Sequence, residues 1–264
     1  MPDLLESFDD GVLSIVFNRP ERKNALSGEM LTMLNAALQR AALDPKVRCL
    51  LLSGAEGSFC VGGDVKGFAA GGGAGGGLPM DQRAATLRNS MEASRLLHEM
   101  PKPCIAAIEG AAAGAGLSLA MACDIRICGE TAKITTAFAK VGLSGDFGGT
   151  YFLSQLVGPA KARELYLLSP VLTAQEAFNL GMVTRVVPDA EIEEAARELA
   201  MSLAQGPSIA LGYIKRNINN AETMSLEACF DAESAHHTRC GETEDHREAA
   251  KAFMEKRKAV FKGH

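Results

Sequence analysis

The chain has no tryptophan, and phenylalanine, tyrosine and tryptophan together make up only 5% of its 264 residues. No apolar run approaches the roughly 18 residues that a bilayer-spanning helix needs. The opening M-P-D-L-L-E-S-F-D-D also lacks the basic-then-apolar order of a secretory signal, so a cytoplasmic protein with no membrane association is expected. Seven cysteines are present (Cys49, Cys60, Cys104, Cys123, Cys128, Cys229 and Cys240), but no CxxC pair. They sit mostly in apolar stretches and read as reduced core residues, with neither a disulfide framework nor a zinc site. The five histidines, His98, His236, His237, His246 and His264, form no H-E-x-x-H spacing, and no metal is expected. Positive charge is in deficit: the net charge is -5, which offers nothing to attract nucleic acid. A small-molecule partner is the better expectation.

What is present is an ordinary globular composition, 47% hydrophobic and 22% charged. G-V-L-S-I-V-F-N-R-P reads as a strand ended by Pro20, and the apolar spacing of residues 28–43 predicts a helix that stops near Asp44 and Pro45. V-R-C-L-L-L-S-G is a short β run, followed by the loop G-S-F-C-V-G-G-D-V-K-G-F. Residues 69–77, A-A-G-G-G-A-G-G-G, read as a surface loop or lid. A helix over 81–100, a strand in K-P-C-I-A-A-I-E-G, a helix from G-A-G-L-S-L-A and a strand D-I-R-I-C follow. After Gly149 the pattern is helical, without strands. The order predicts an α/β fold with a core over residues 1–200 and a C-terminal helical subdomain over 201–264.

One carboxylate stands out. Asp146 lies among Gly142, Gly145, Gly148 and Gly149, where glycine is costly to fold unless the backbone needs positive φ or must approach a ligand. Two loops, C-V-G-G-D and A-A-A-G-A-G, each follow a strand and present small residues at a helix start. Unpaired N–H groups there carry partial positive charge, and two such loops side by side suit a developing oxyanion.

N-R-P-E-R-K-N-A-L, G-S-F-C-V-G-G-D, K-P-C-I-A-A-I-E-G-A-A-A-G-A-G, K-V-G-L-S-G-D-F-G-G-T and the tail F-M-E-K-R-K-A-V-F-K-G-H occur in an order that resembles the crotonase, or enoyl-CoA hydratase/isomerase, superfamily over essentially the whole chain. The resemblance implies a spiral of ββα units, trimers that pair into hexamers, and an acyl-CoA thioester as substrate. No cofactor is implied beyond the CoA carried by the substrate. It puts the oxyanion donors on the backbone N–H groups of Gly63 and Ala115. It puts the backbone around Arg22, Lys23, Asn24 and Ala25 at the adenine end of CoA, further CoA and substrate contacts at Val61, Asp64, Ser118, Phe138 and Phe147, and Phe253 and Lys256 of a neighbouring subunit at the adenosine and phosphate groups. Residues 201–264 would then serve trimerisation.

The departures from the family pattern carry the functional reading. Where hydratases of this family place two glutamates, this chain has Ser118 and Phe138, neither of which can shuttle a proton as a carboxylate does. Asp146 occupies the position from which phenylacetate-pathway and enoyl-CoA isomerases extend their catalytic acid. One carboxylate suffices for an allylic shift, taking a proton from one carbon and returning it to another. An aspartate at its usual pKa of about 3.9 is a poor base for this task, so burial against Phe138 and Phe147 is expected to raise it. The alternatives are a hydratase in which Asp146, or Glu109, activates water, and a non-catalytic member that binds acyl-CoA or RNA. A dehalogenase-like nucleophilic aspartate would call for the tryptophan clamp the chain lacks. G-A-G-L-S-L lacks the third glycine of a dinucleotide fingerprint and the second glycine of a serine nucleophile elbow.

Overall fold

The computed structural model describes residues 1–64 and 77–264. Most of the proposed 69–77 loop therefore lies outside the described residues. Strands β1 (Leu4–Asp9) and β2 (Val12–Phe17) form an antiparallel hairpin, with Leu4 opposite Phe17 and Asp9 opposite Val12. The turn is Asp10-Gly11, both at positive φ (44° and 87°), the backbone that matches the twist of a two-residue hairpin. From β2 the sheet continues in parallel through β3 (Cys49–Gly54), β4 (Cys104–Ile108), β6 (Ile125–Gly129) and β9 (Arg185–Val187). A smaller sheet joins β5 (Ala111–Ala113), β7 (Lys133–Thr135) and β8 (Leu172–Thr173). The chain after Gly149 is thus not purely helical. β8 and β9 are two and three residues long, too short to show an alternation, and their pairing with distant strands makes them strands.

A parallel sheet is covered on both faces, and successive residues of one strand serve opposite sides. Leu50 and Leu52 join one apolar cluster while Leu51 between them joins the other. The first face is packed by helix α1 (Gly28–Leu43), whose buried Met30, Leu34, Ala37, Leu38 and Ala41 recur at helical spacing. Ser27 caps it by accepting from Met30 N at 2.9 Å. The expected 81–100 helix is two helices, α2 (Met80–Ser90) and α3 (Glu92–Glu99), meeting at Met91. α2 buries no residue; α3 buries Ala93, Ser94 and Leu97 against the core. Next come α4 (Ala115–Ala122), α5 (Gly149–Leu168), α6 (Ala174–Asn179) and α7 (Ile192–Ala204). The second face of the sheet lies under α7, where Ile192, Ala196, Ala200 and Ala204 meet Cys49, Leu51, Ile105 and Ile127. Residue 200 therefore sits inside a helix that packs on the sheet, and α8 (Ser208–Ala221) begins beyond it, followed by α9 (Leu226–Gly241) and α10 (Glu244–Glu255).

The helical tail is tied to the core by two cations, half-buried Arg48 and buried Lys215. The Arg48 guanidinium, beside β3, donates to Ser208 Oγ at 2.7 Å and to Gly206 O at 2.5 Å. Lys215 of α8 donates to acceptors on three other segments, described below. No helix among the described residues is long and apolar enough to cross a membrane.

Candidate active site

The loop after β3 is stitched to the chain leading into α4. Phe59 N donates to Glu109 O (2.7 Å), Cys60 N to Ala111 O (3.0 Å), and Ala113 N back to Cys60 O (3.0 Å). A Cβ on Gly116 would stand 2.3 Å from Cys60 O, so only glycine lets the helix start approach this loop. A Cβ on Gly62 (φ 82°) would stand 3.0 Å from Ala115 N. The turn before Gly63 therefore lies directly against the first N–H of α4. That helix is apolar all round and buried, and its opening N–H groups have no acceptor within the helix. The two loops singled out in the sequence converge, and the helix dipole adds partial positive charge where they meet.

Asp146 is carried by a turn in which Gly145 (φ 119°), Phe147 (φ 49°) and Gly148 (φ 72°) all have positive φ. A phenylalanine in the left-handed region is strained, and such strain gathers at functional positions. The Asp146 carbonyl accepts from Gly149 N at 3.0 Å, leading into α5. Its side-chain Oδ1 is buried and has no hydrogen-bond partner among the described residues. Burial alone raises its pKa from 3.8 to about 6. Phe147 is buried beside it in the chain and Phe138 is buried as well.

The aromatic neighbour that sequence reasoning missed is Tyr166. α5 breaks at Gly158 (φ 76°), followed by Pro159, and its second half brings Tyr166 back to the turn where the helix began. A Cβ on Gly145 would stand 3.1 Å from the Tyr166 ring. The ring stacks on Phe138 with centroids 5.9 Å apart and planes 2° apart, and Phe138 in turn faces Gly114, whose Cβ would stand 3.8 Å from its Cζ. Phe138 and Tyr166 thus link the Asp146 turn to the start of α4. The Gly158-Pro159 dipeptide is the sequence signal that a break was coming.

The remaining candidates divide by environment. Ser118 is fully buried and donates to Gly114 O at 3.2 Å. Asn24 is fully buried too: its Nδ2 donates to Ala55 O (2.9 Å) and Ser58 O (2.6 Å), and its Oδ1 accepts from Arg19 N (2.8 Å). That side chain shapes the loop rather than facing solvent. Lys23 and Asn24 hold positive φ (50° and 56°), the Lys23 carbonyl accepts from Val61 N at 3.3 Å, and Arg22 and Lys23 are exposed beside buried Ala25. Arg19, which drew no attention in the sequence, donates to Ala25 O at 2.7 Å and approaches Asp64 at 3.6 Å. Glu109 lies near Gly57, at the far end of the stitched segment from Gly62. Phe253 is 81% exposed on α10, and Lys256 (φ 54°) caps that helix. Within one chain they project from its terminal helix. No group of three or more potential metal ligands occurs among the described residues.

Beyond Phe147 lies a cavity of about 630 Å³, lined by Arg95 and His98 of α3, Tyr151 and Phe152 of α5, and Arg216 of α8, among others. At its rim Glu222 accepts from the Tyr151 hydroxyl at 2.5 Å and sits 3.2 Å from His98 Nε2. Burial, then Glu222, pushes the Tyr151 phenol up to about 12. A half-buried carboxylate of raised pKa, a convergence of small-residue loops on a helix N-terminus and an adjoining cavity thus lie in one region of the fold.

Comparison with known proteins agrees with this geometry. A family model described as Enoyl-CoA hydratase/isomerase matches residues 7–264. The chain is 39% identical to a 1,2-epoxyphenylacetyl-CoA isomerase of Escherichia coli (strain K12), covering 100% of this chain and 99% of that one. It is 32% identical to a 2,3-dehydroadipyl-CoA hydratase of the same organism, covering 100% of both. A crystal structure of an enoyl-CoA hydratase from Polaromonas sp. JS666 superposes with a TM-score of 0.91 at 30% identity, over 98% of this chain and 99% of that one. The mixed α/β architecture is that of the crotonase fold, and the chain belongs to the enoyl-CoA hydratase/isomerase family, whose members process acyl-CoA thioesters.

Proposed function

We propose that the protein shifts a double bond, or isomerises a ring, within an acyl-CoA thioester, with Asp146 as the single proton carrier. The Gly63 and Ala115 N–H groups would polarise the thioester carbonyl and hold the enolate oxygen, an interaction worth on the order of 3 kcal/mol per donor in comparable sites. The observation that carries this reading is the half-buried Asp146 carboxylate, its Oδ1 buried and unpartnered among the described residues and its pKa raised to about 6, close enough to working pH for a base to be both ionised and reactive. Ser118 and Phe138 offer no second carboxylate, so the hydratase arrangement of two acids is absent from those positions. Arg22, Lys23, Ala25, Val61 and Asp64 would border the CoA portion, with Asn24 shaping their loop, and Phe147 would separate Asp146 from the 630 Å³ cavity that takes the distal acyl group. Similarity to a relative named as a hydratase favours a second reading, in which Asp146 activates water.

The two readings separate in deuterated water. Incubation with 2-enoyl- and 3-enoyl-CoA esters, followed by mass spectrometry, should show deuterium entering the acyl chain with no addition of water. A product heavier by one water would replace the isomerase reading with the hydratase one.

We also propose that the chain works as a trimer or a pair of trimers, with Phe253 and Lys256 reaching a neighbour's CoA. Support comes from the exposed apolar side chains of the last helices, including Ile218, Leu226, Phe230, Phe253 and Met254. Sedimentation should give a mass that is a multiple of three chains, and a monomer at micromolar concentration would overturn the proposal.

A further inference from the structure

Along the turn after β3, every backbone N–H from Phe59 to Gly62 has an acceptor. Phe59 and Cys60 donate to the strand segment at Glu109 and Ala111, and Val61 N donates to Lys23 O at 3.3 Å. Gly62 N has a different kind of partner, the sulfur of Cys60 at 3.4 Å, while the Gly62 carbonyl accepts from Leu26 N at 2.8 Å. Gly63 N comes next and has no acceptor among the described residues. The Cys60 side chain is fully buried, and burial pushes its thiol up to about 12. It therefore stays a neutral thiol at working pH and accepts through its sulfur lone pairs. Its place is fixed from both sides: Cys60 O accepts from Ala113 N at 3.0 Å, and a Cβ on Gly116 would stand 2.7 Å from Cys60 Cβ.

A side chain that accepts from the N–H two residues on is the bond that shapes Asx and Ser/Thr turns, and here sulfur makes it at the longer reach of a C–S bond. The bond fixes the Val61–Gly62 peptide. Gly62 needs such a restraint, since at φ 82° it has no side chain of its own to limit its backbone, and its Cβ position lies only 3.0 Å from Ala115 N. With the sulfur gone, the Gly62 N–H would be left unpaired, and the turn would shift to find it a partner. We propose that Cys60 is a positioning residue of the active site: by taking the Gly62 N–H, its sulfur leaves Gly63 as the one open donor of this turn and holds it in register with Ala115 N for the thioester oxygen. Cys60 acts on the substrate only through the backbone. The inference rests on the proposed oxyanion role of Gly63 and Ala115, and it holds for the isomerase and the hydratase reading alike.

The test reads the polarisation of the carbonyl itself. Butyryl-CoA, saturated and labelled with carbon-13 at the thioester carbonyl, is bound to the protein and its C=O stretch followed by infrared difference spectroscopy. The wild-type protein should lower the stretch relative to free thioester, Cys60→Ala should lose about half of that shift, and Cys60→Ser, whose oxygen accepts from the same N–H, should keep it. Proton exchange into an enoyl-CoA should follow the same order: kcat about tenfold lower in Cys60→Ala with KM within about twofold, and within about threefold of wild type in Cys60→Ser. Alanine removes a single heavy atom, so thermal unfolding should stay cooperative in both variants. A wild-type carbonyl shift in Cys60→Ala overturns the inference, and so does a Cys60→Ser variant as impaired as the alanine one, which would make the cysteine a packing residue. Absence of any shift for thioester bound to the wild-type protein would strike instead at the oxyanion role of Gly63 and Ala115, and failure of the thioester to bind would strike at the acyl-CoA reading.

Discussion

Asp146→Asn should reduce proton exchange between solvent and an enoyl-CoA by about 10³-fold or more, with KM for the thioester within about threefold of wild type. The amide keeps the shape of the side chain but cannot accept a proton, and no other carboxylate occupies the family's two acid positions, Ser118 and Phe138. The wild-type pH profile supplies a matched check. A base raised to about 6 is protonated below that pH, so kcat/KM should fall close to tenfold per unit there and level off above it. Stability should move in the opposite direction from activity. Because the folded state raises this carboxyl from 3.8 to about 6, ionisation costs the fold up to about 3 kcal/mol above pH 6, and that penalty fades as the pH falls towards 4. The asparagine variant should therefore melt higher than wild type at pH 8 and alike at pH 4. Retained exchange would remove Asp146 from the mechanism. A variant less stable than wild type at pH 8 would make the aspartate a structural residue.

The parts of this site that local pattern could express were legible. Asp146 among its glycines, and the small-residue loops before Gly63 and Ala115, are backbone statements, since positive φ and close approach select for glycine whatever the rest of the chain does. The helix over 28–43 and the strands at β2, β3 and β4 were visible for the same reason: their periods match the faces they bury. β1 was not, because Leu4 is its only buried side chain and no alternation marks the remainder. β9 and β8 were hidden by length, and the break at Met91 by unbroken helical propensity on both sides of it. Tyr166 was out of reach for a different reason. It lies 20 residues from Asp146 in sequence and meets it only because the Gly158 break folds α5 back on itself. The Asn24 side chain was equally out of reach: the family likeness speaks of the backbone at this position, and only the fold shows the side chain holding that loop in shape.

Lys215→Met should cost about 3 kcal/mol of stability, lowering the melting temperature by roughly 6–12 °C for a chain of this size. The residue is buried, and its ammonium donates to Leu97 O (2.7 Å), Lys102 O (3.1 Å) and Asp124 Oδ2 (2.9 Å). Those acceptors come from the end of α3, the turn after it and the approach to β6, so one side chain ties α8 to three parts of the core. Two other residues of the same helical stripe make the approach close: Gly212, where a Cβ would stand 2.7 Å from Pro101 O, and Asn219, which donates to His98 O at 2.8 Å. Methionine keeps much of the lysine stem's volume while orphaning the two carbonyls and leaving Asp124, which also accepts from Cys104 N at 2.7 Å, without its countercharge. Burial disfavours the ammonium, while the neighbouring Cys104 and Asp124 favour it, and the pKa of Lys215 is raised above its ordinary value. A raised lysine contributes its full stabilisation below the unfolded value of about 10.4 and loses it only as pH climbs through the folded one. The deficit of the methionine variant should accordingly be constant from pH 6 to pH 9, as read by urea unfolding at each pH. A loss under about 1 kcal/mol, or one that closes within that range, would show that the Lys215 bonds are not what holds α8 to the core. Since Arg216 and Asn219 on this helix also line the cavity beyond Phe147, a loosened α8 should raise KM for long or bulky acyl groups more than for short ones.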